Sequence, residues 1–276
     1  MSLPRRFTKM AGGGNDFLLF EADGRTLSAE DRAKVALLCR RGLSVGADGA
    51  LFLSPSGPGR VRVDYFNADG GLASFCANGT RCAARYAVTR GLVAGEKLEL
   101  ETGWARIRAS VGRERVTLNL PPLPPSGAPV RVSGDGLPPS AAPMCVGVPH
   151  LVVFVERDLA ALPIDRVAPP LRRHPDLPDG ANVNFVEVLS DRRLAIRTFE
   201  RGVEGETLAC GSGVVASAVV AAREGRVRPP VVCDTRSGVS FTVGFTPSDG
   251  AISDATLEGD AREIFTAELN EEAWKA

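Results

Sequence analysis

Histidine is nearly absent from this chain: His150 and His174 are the only two in 276 residues. No Cys-x-x-Cys pair accompanies them, and Cys76 and Cys82 are spaced unlike zinc ligands, so no metal is expected. Net charge is lacking as well. The 33 basic residues balance the 33 acidic ones, and the arginines, which far outnumber the lysines, are scattered. A nucleic-acid or membrane-surface partner would need a basic face, so neither is expected. No run of about 18 apolar residues occurs, which excludes a membrane-spanning helix. The N-terminal Met1–Phe7 stretch has no apolar core of a secretory signal, pointing to a cytoplasmic protein. In that compartment the six cysteines read as reduced thiols rather than three disulfides.

What the chain does have is a duplication. Cys76 opens Cys76-Ala77-Asn78-Gly79 and Cys210 opens Cys210-Gly211-Ser212-Gly213, each followed by an Ala-rich run. Those runs end at Gly91 and Gly225, the same distance from their cysteines. Met10 and Met144, Phe20 and Phe154, Cys76 and Cys210, and Gly91 and Gly225 all share one offset (210 − 76 = 134). A fixed offset over four landmarks implies two related domains, 1–122 and 123–261, with the tail 262–276 returning to the first. Alternating apolar segments at 61–66, 97–101, 105–109 and 116–120 predict half-buried antiparallel strands. Further strands are expected at 17–20, 50–53, 151–156, 185–189 and 194–199. Ser28 caps a helix running to about Cys39. Gly79–Thr89 and Gly213–Arg223 supply a helix in each half. The second has almost no polar face and must be buried all round, as a helix wrapped by a curved sheet would be. Pro121–Pro125 reads as an extended linker and Pro169–Pro178 as a loop around a short helix. The fold class is therefore mixed α/β (α+β).

A thiol at a helix N-terminus is a better base than a free one, and the same terminus offers free N–H groups to an anion. Gly79 and Gly213 allow close backbone approach. Two such termini facing each other would grip one carboxylate and set a sulfur on each face of the adjacent carbon. A thiolate could then remove an α-proton and a thiol return one to the opposite face, inverting the stereocentre without a cofactor. The weak acidity of that proton demands preorganised donors in a dry site. Neither motif holds a lysine for a pyridoxal Schiff base. Taken singly, the residues around these motifs stay open to plainer readings. Asn15, Asn67 and Asn182 suit turns, Glu200 and Arg201 a solvated ion pair, His150 a structural role, and Ser212 a helix cap.

Read together, the motifs resemble diaminopimelate epimerases along nearly the whole chain. Lys9-Met10-Ala11-Gly12-Gly13-Gly14-Asn15-Asp16-Phe17, Phe66–Gly70 and Cys76–Cys82 resemble the first half of the family pattern. Gly147–His150, Asn182–Phe185, Glu200–Gly202 and Gly205–Gly213 resemble the second, and Gly259–Phe265 the C-terminal signature. The resemblance implies two pseudo-symmetric domains, each a curved, mostly antiparallel sheet or barrel around a central helix. It implies interconversion of LL- and meso-diaminopimelate, serving lysine and peptidoglycan precursors, with no metal or pyridoxal. By carry-over, Cys76 and Cys210 are the acid/base pair. Asn78, Gly211, Ser212 and the Ala77 backbone would bind the reacting centre. Asn15, Asn67, Asn182, Glu200 and Arg201 would bind the substrate, several at its distal end. His150 and Glu200 would tune the thiols, and Phe265 would lie near the interface of a homodimer. The chain departs from the pattern at Ala11 (His in the family), Val148 (Asn) and Ala77 (Gly). The segment 200–205 is one residue longer. Val148 places an apolar side chain where the family has an amide, which keeps a second possibility open: a cofactor-independent racemase of another amino acid, such as histidine. A non-catalytic amino-acid binder is a third, disfavoured by two intact cysteines.

Overall fold

Parallel neighbours in a sheet need a crossover, and in each half of this chain two crossovers decide where the helices go. The computed structural model describes residues 3–134, 137–156, 158–248 and 250–275. The chain divides into one unit made of residues up to Leu118 together with those from Gly259 on, and a second unit, Asn119–Glu258.

The first unit runs β1 (Arg6–Gly12), β2 (Asn15–Glu21), α1 (Ala29–Cys39), β3 (Gly49–Gly57), β4 (Arg60–Asn67), β5 (Leu72–Ala73), α2 (Ala77–Thr89), β6 (Lys97–Glu101), β7 (Arg106–Val111) and β8 (Arg115–Asn119). β1 and β2 pair antiparallel, as do β3 and β4, and β6 and β7. The links β2–β3 and β4–β6 are parallel. The sheet thus grows in one direction while its two crossovers leave from oppositely directed strands. With both crossovers right-handed, their helices fall on opposite faces. Side-chain alternation agrees. Leu18, Phe20, Ala50 and Phe52 join α1 in one core, whereas Phe17 and Leu51 approach α2 at Gly79. α2 touches β1, β2, β3, β4, β6 and β7, so the sheet curls around it. The C-terminal strand Arg262–Glu268 completes this unit by pairing antiparallel with β1. α1 begins where Ser28 predicts, with a reciprocal capping box between Ser28 and Asp31.

The second unit repeats the scheme. Its elements are β9 (Val130–Arg131), β10 (Ser140–Val146), β11 (Val148–Phe154), α3 (Ile164–Arg172), β12 (Asn182–Ser190), β13 (Arg193–Glu200), β14 (Gly205–Thr207), α4 (Gly211–Arg223), β15 (Val231–Thr235), β16 (Ser240–Gly244) and β17 (Thr256–Asp260). β10–β11, β12–β13 and β15–β16 are antiparallel, and β11–β12 and β13–β15 are parallel. α3 packs on Leu151, Val153, Val183 and Phe185, and α4 lies on the other face, touching β10 to β13, β15 and β16. Every residue from Gly211 to Ala221 is buried, as the absence of a polar face requires. Ser217 satisfies its hydroxyl inside the helix by donating to Gly213 O at 2.7 Å.

Two local expectations change. The short helix expected within the Pro169–Pro178 loop lies earlier, as α3, which takes in Pro169 and Pro170. Its buried Ile164, Ala168 and Leu171 form a stripe at helical spacing, and burying that stripe outweighs the backbone penalty of proline, about 3 kcal/mol in a helix interior. Pro121–Pro125 is extended, but it is anchored. Leu123 is fully buried and exchanges backbone hydrogen bonds of 2.7 and 3.0 Å with Ile252.

Candidate active site

Cys76 and Cys210 occupy the same position in their units, each the N-cap of the helix its sheet surrounds. Both have extended backbone, so each helix begins one residue after its cysteine. Ala77 and Gly211 are therefore first-turn residues whose N–H groups have no partner within the helix.

In the first unit, Cys76 is half-buried and its sulfur accepts the Gly79 N–H at 3.4 Å. Asn78 Nδ2 donates to Asn15 Oδ1 at 2.8 Å, and Asn15 Nδ2 donates to Asp48 Oδ2 at 2.9 Å. Asp48 is held in turn by Arg41 at 2.8 Å. Asn15 and Asn78 are thus one rigid pair. Asn67 ends β4, where its backbone closes a turn with Gly70 and Gly71, both at 2.9 Å, and its side chain is exposed. Phe265, on the C-terminal strand, is 45% exposed and meets Phe7 edge-on at 6.0 Å.

The second unit assembles more around its sulfur. Cys210 Sγ lies 3.4 Å from Ser212 Oγ and 4.0 Å from Asn182 Nδ2. Asn182 Oδ1 accepts the Arg201 N–H at 2.8 Å, tying the start of β12 to the end of β13. Ser212 Oγ lies 3.0 Å from His150 Nε2, and His150 Nδ1 lies 3.2 Å from Asn184 Nδ2. The Asn184 amide also faces the Leu151 carbonyl at 3.4 Å, which can only accept. Its NH2 therefore points at His150, Nδ1 is the acceptor, and the ring proton sits on Nε2. The Ser212 hydroxyl, taking that proton's hydrogen bond, is free to donate to Cys210. The result is a directed donor chain, Asn184 to His150 to Ser212 to sulfur, anchored by Thr198 Oγ1 donating to Asn184 Oδ1 at 3.0 Å. Burial, reinforced by the charge of Arg201, pushes His150 down to about 3, so the imidazole is neutral at physiological pH. Glu200 accepts from Thr207 Oγ1 at 2.6 Å, and Arg201 donates to Asp179 O at 2.8 Å. The turn between β13 and β14 carries Glu204 at φ 55, the one non-glycine with positive φ among the described residues.

Sequence reasoning passed over Asn184 and Arg81. The Asn182-Val183-Asn184 alternation puts both amides on the helix-facing side of β12, so a period-2 reading would have found the first. Arg81 lies three residues after Asn78 on α2, a spacing that brings side chains together. Gly213 is needed for the Asn184 contact, because an added Cβ would lie 2.1 Å from Asn184 Oδ1. Gly213→Ala should lower the denaturation midpoint by the equivalent of about 1–3 kcal/mol. Gly205→Ala, with nothing within 4 Å of the added carbon, should not. Equal effects would show that Asn184 yields freely.

The sequence model of one family, diaminopimelate epimerase, matches residues 7–116 and 144–244. A diaminopimelate epimerase of Methanothrix thermoacetophila is 39% identical over 278 residues, covering 91% of this chain and 97% of its own. That of Archaeoglobus fulgidus is 40% identical over 248 residues, covering 84% and 87%. Among solved structures, a probable proline racemase from Agrobacterium radiobacter shares the fold, with TM-score 0.71 over 96% of this chain and 93% of its own at 15% identity.

Proposed function

The chain belongs to the diaminopimelate epimerase family, and on that premise we propose that it interconverts LL- and meso-2,6-diaminopimelate by proton transfer at one α-carbon. The observation that carries the reading is the repeated placement of Cys76 and Cys210 as N-caps of buried helices in two units of one topology. One sulfur acts as thiolate and removes the α-proton. The other acts as thiol and delivers a proton to the opposite face.

The remaining roles follow from local chemistry. First-turn N–H groups at Ala77 and Gly211 suit the α-carboxylate, whose charge grows toward an enediolate as the proton leaves. The Asn15–Asn78 pair presents a fixed amide surface. Asn182, Glu200 and Arg201 suit the zwitterionic distal end, Arg201 through its planar fork to a carboxylate and Glu200 through attraction to an ammonium. The donor chain through His150 and Ser212 supports negative charge on Cys210. The enzyme works without metal or pyridoxal, in the cytoplasm, in lysine and peptidoglycan precursor synthesis. The exposed Phe265 and Ile264 suit a homodimer contact.

Val148 favours a second reading, racemisation of another amino acid, because it removes an amide contact worth about 1–3 kcal/mol if its partner group is left unmet. Incubation in deuterated water separates the two. LL-diaminopimelate should gain an α-deuterium as the meso form appears, while free histidine should not. Labelled histidine with inert diaminopimelate would transfer the function to the second reading.

A further inference from the structure

Among the described residues Arg81 is the largest side chain wholly removed from solvent, 0% exposed, in the first turns of α2. Burying a guanidinium is costly unless it is richly hydrogen-bonded, so its surroundings call for an explanation. Helical side chains lean back toward the N-terminus, and Arg81 does so. Its Nη2 donates to Asn78 Oδ1 at 2.7 Å and its Nη1 to the Ala77 carbonyl at 3.3 Å. Its Nε donates to the Asp260 carbonyl at 3.2 Å. The charge therefore lies under the turn that Cys76 begins. Gly12 of β1 seals this pocket, since a Cβ there would lie 3.0 Å from Cys82 Sγ and 3.1 Å from Asp260 O.

We propose that Arg81 is the positioning residue of the Cys76 half-site: its guanidinium sets the Asn78 carboxamide and holds a fixed positive charge under Cys76 that stabilises the thiolate whenever this sulfur is the one that takes the proton. The two effects come from one group. With Oδ1 of Asn78 taken by Arg81, the NH2 of that amide must turn to Asn15, as it does. The titratable and charged groups acting on the guanidinium are Cys82 on the same helix, Asp260, Cys76, and Arg115 on β8. Burial pulls Arg81 down from its ordinary range, and a negative Cys76 is among the charges that push it back up. Cys82 is raised to about 12 by burial and stays protonated, so it does not compete for the charge at neutral pH. Lysine would keep the charge but not the three-way fork.

The proposal rests on Cys76 being an acid/base, but its test does not need turnover. The rate of Cys76 alkylation by iodoacetamide, followed by mass spectrometry with exposed Cys145 as the reference thiol, reports its ionisation as a function of pH. Arg81→Gln should move the midpoint up by about 1–2 pH units. Arg81→Lys should bring it back, while KM for diaminopimelate stays raised because Asn78 is no longer fixed. A packing role alone would leave the midpoint in place. Should the glutamine variant fail to fold, the wild-type protein decides the matter. With 15N-labelled arginine, the Arg81 Nε–H resonance should titrate with the Cys76 alkylation midpoint and lose that response in Cys76→Ser. A flat resonance, or superimposable alkylation profiles for wild type and Arg81→Gln, would overturn the proposal. Inert diaminopimelate with a shifted alkylation midpoint would instead count against the substrate alone.

Discussion

Replacing either Cys76 or Cys210 with alanine is expected to cut epimerisation in both directions by about 10³-fold or more, since each removes one of the two proton carriers. The two variants should nevertheless differ from each other. A lone sulfur still exchanges the α-proton of the isomer whose hydrogen faces it, because it can take that proton and return a solvent-derived one to the same side. Each alanine variant should therefore label one isomer with deuterium without inverting it, and the two variants should label opposite isomers. Assaying deuterium uptake and chirality in the same samples checks both points. A variant that inverts at the wild-type rate would remove that cysteine from the mechanism. The expectation needs no assumption about which sulfur serves which isomer; the experiment assigns it.

Acid should destabilise the protein steeply through His150. The imidazole ordinarily titrates at 6.5 and is pushed down to about 3 by burial and by Arg201. Between those values the unfolded chain binds a proton that the folded chain refuses. The stability His150 contributes is therefore fully present above pH 6.5 and is lost as the pH falls toward 3, by about 1.4 kcal/mol per pH unit. The whole window amounts to several kcal/mol, comparable to the total stability of many domains. Glu206 is held below its usual value despite its burial, because Arg197 and Arg236 pair with it. Asp234 is held low in the same way by Arg193 and Ser240. Both are held low, so neither accounts for a change between pH 6.5 and 5. Urea midpoints at those two pH values should fall apart in wild type and stay closer in His150→Gln, whose side chain carries no proton to refuse. Parallel shifts in the two proteins would mean that His150 is protonated in the fold.

The duplication, the central helices and the fold class could all be read from spacing and polarity. An unbroken run of small residues such as Val214–Ala222 has only one way to satisfy its surface. The partner network of each sulfur could not be read in this way. The chain from Asn184 to Cys210 joins β11, β12 and α4, and its members are separated in sequence by 34, 62 and 2 residues. Such a chain depends on strand register, here His150 opposite Asn182 and Val152 opposite Asn184, which polarity patterns do not specify. Arg81 was hidden for a different reason. Charge in a helix normally marks a wet face, and acceptors such as Asn78 Oδ1 and the Ala77 and Asp260 carbonyls make the burial of this one tolerable. The two prolines of α3 misled only about where that helix begins, because a local breaker lost to a buried stripe.

The C-terminal strand gives the two halves of the chain different histories during synthesis. Its seat is beside β1, so the unit that leaves the ribosome first lacks one of its strands until Arg262–Glu268 emerges. The second unit is continuous in sequence and can close while that earlier sheet still presents an open edge along β1. The unit that ends at Glu258 is thus the first able to finish, and the unit begun before it waits for the strand Arg262–Glu268.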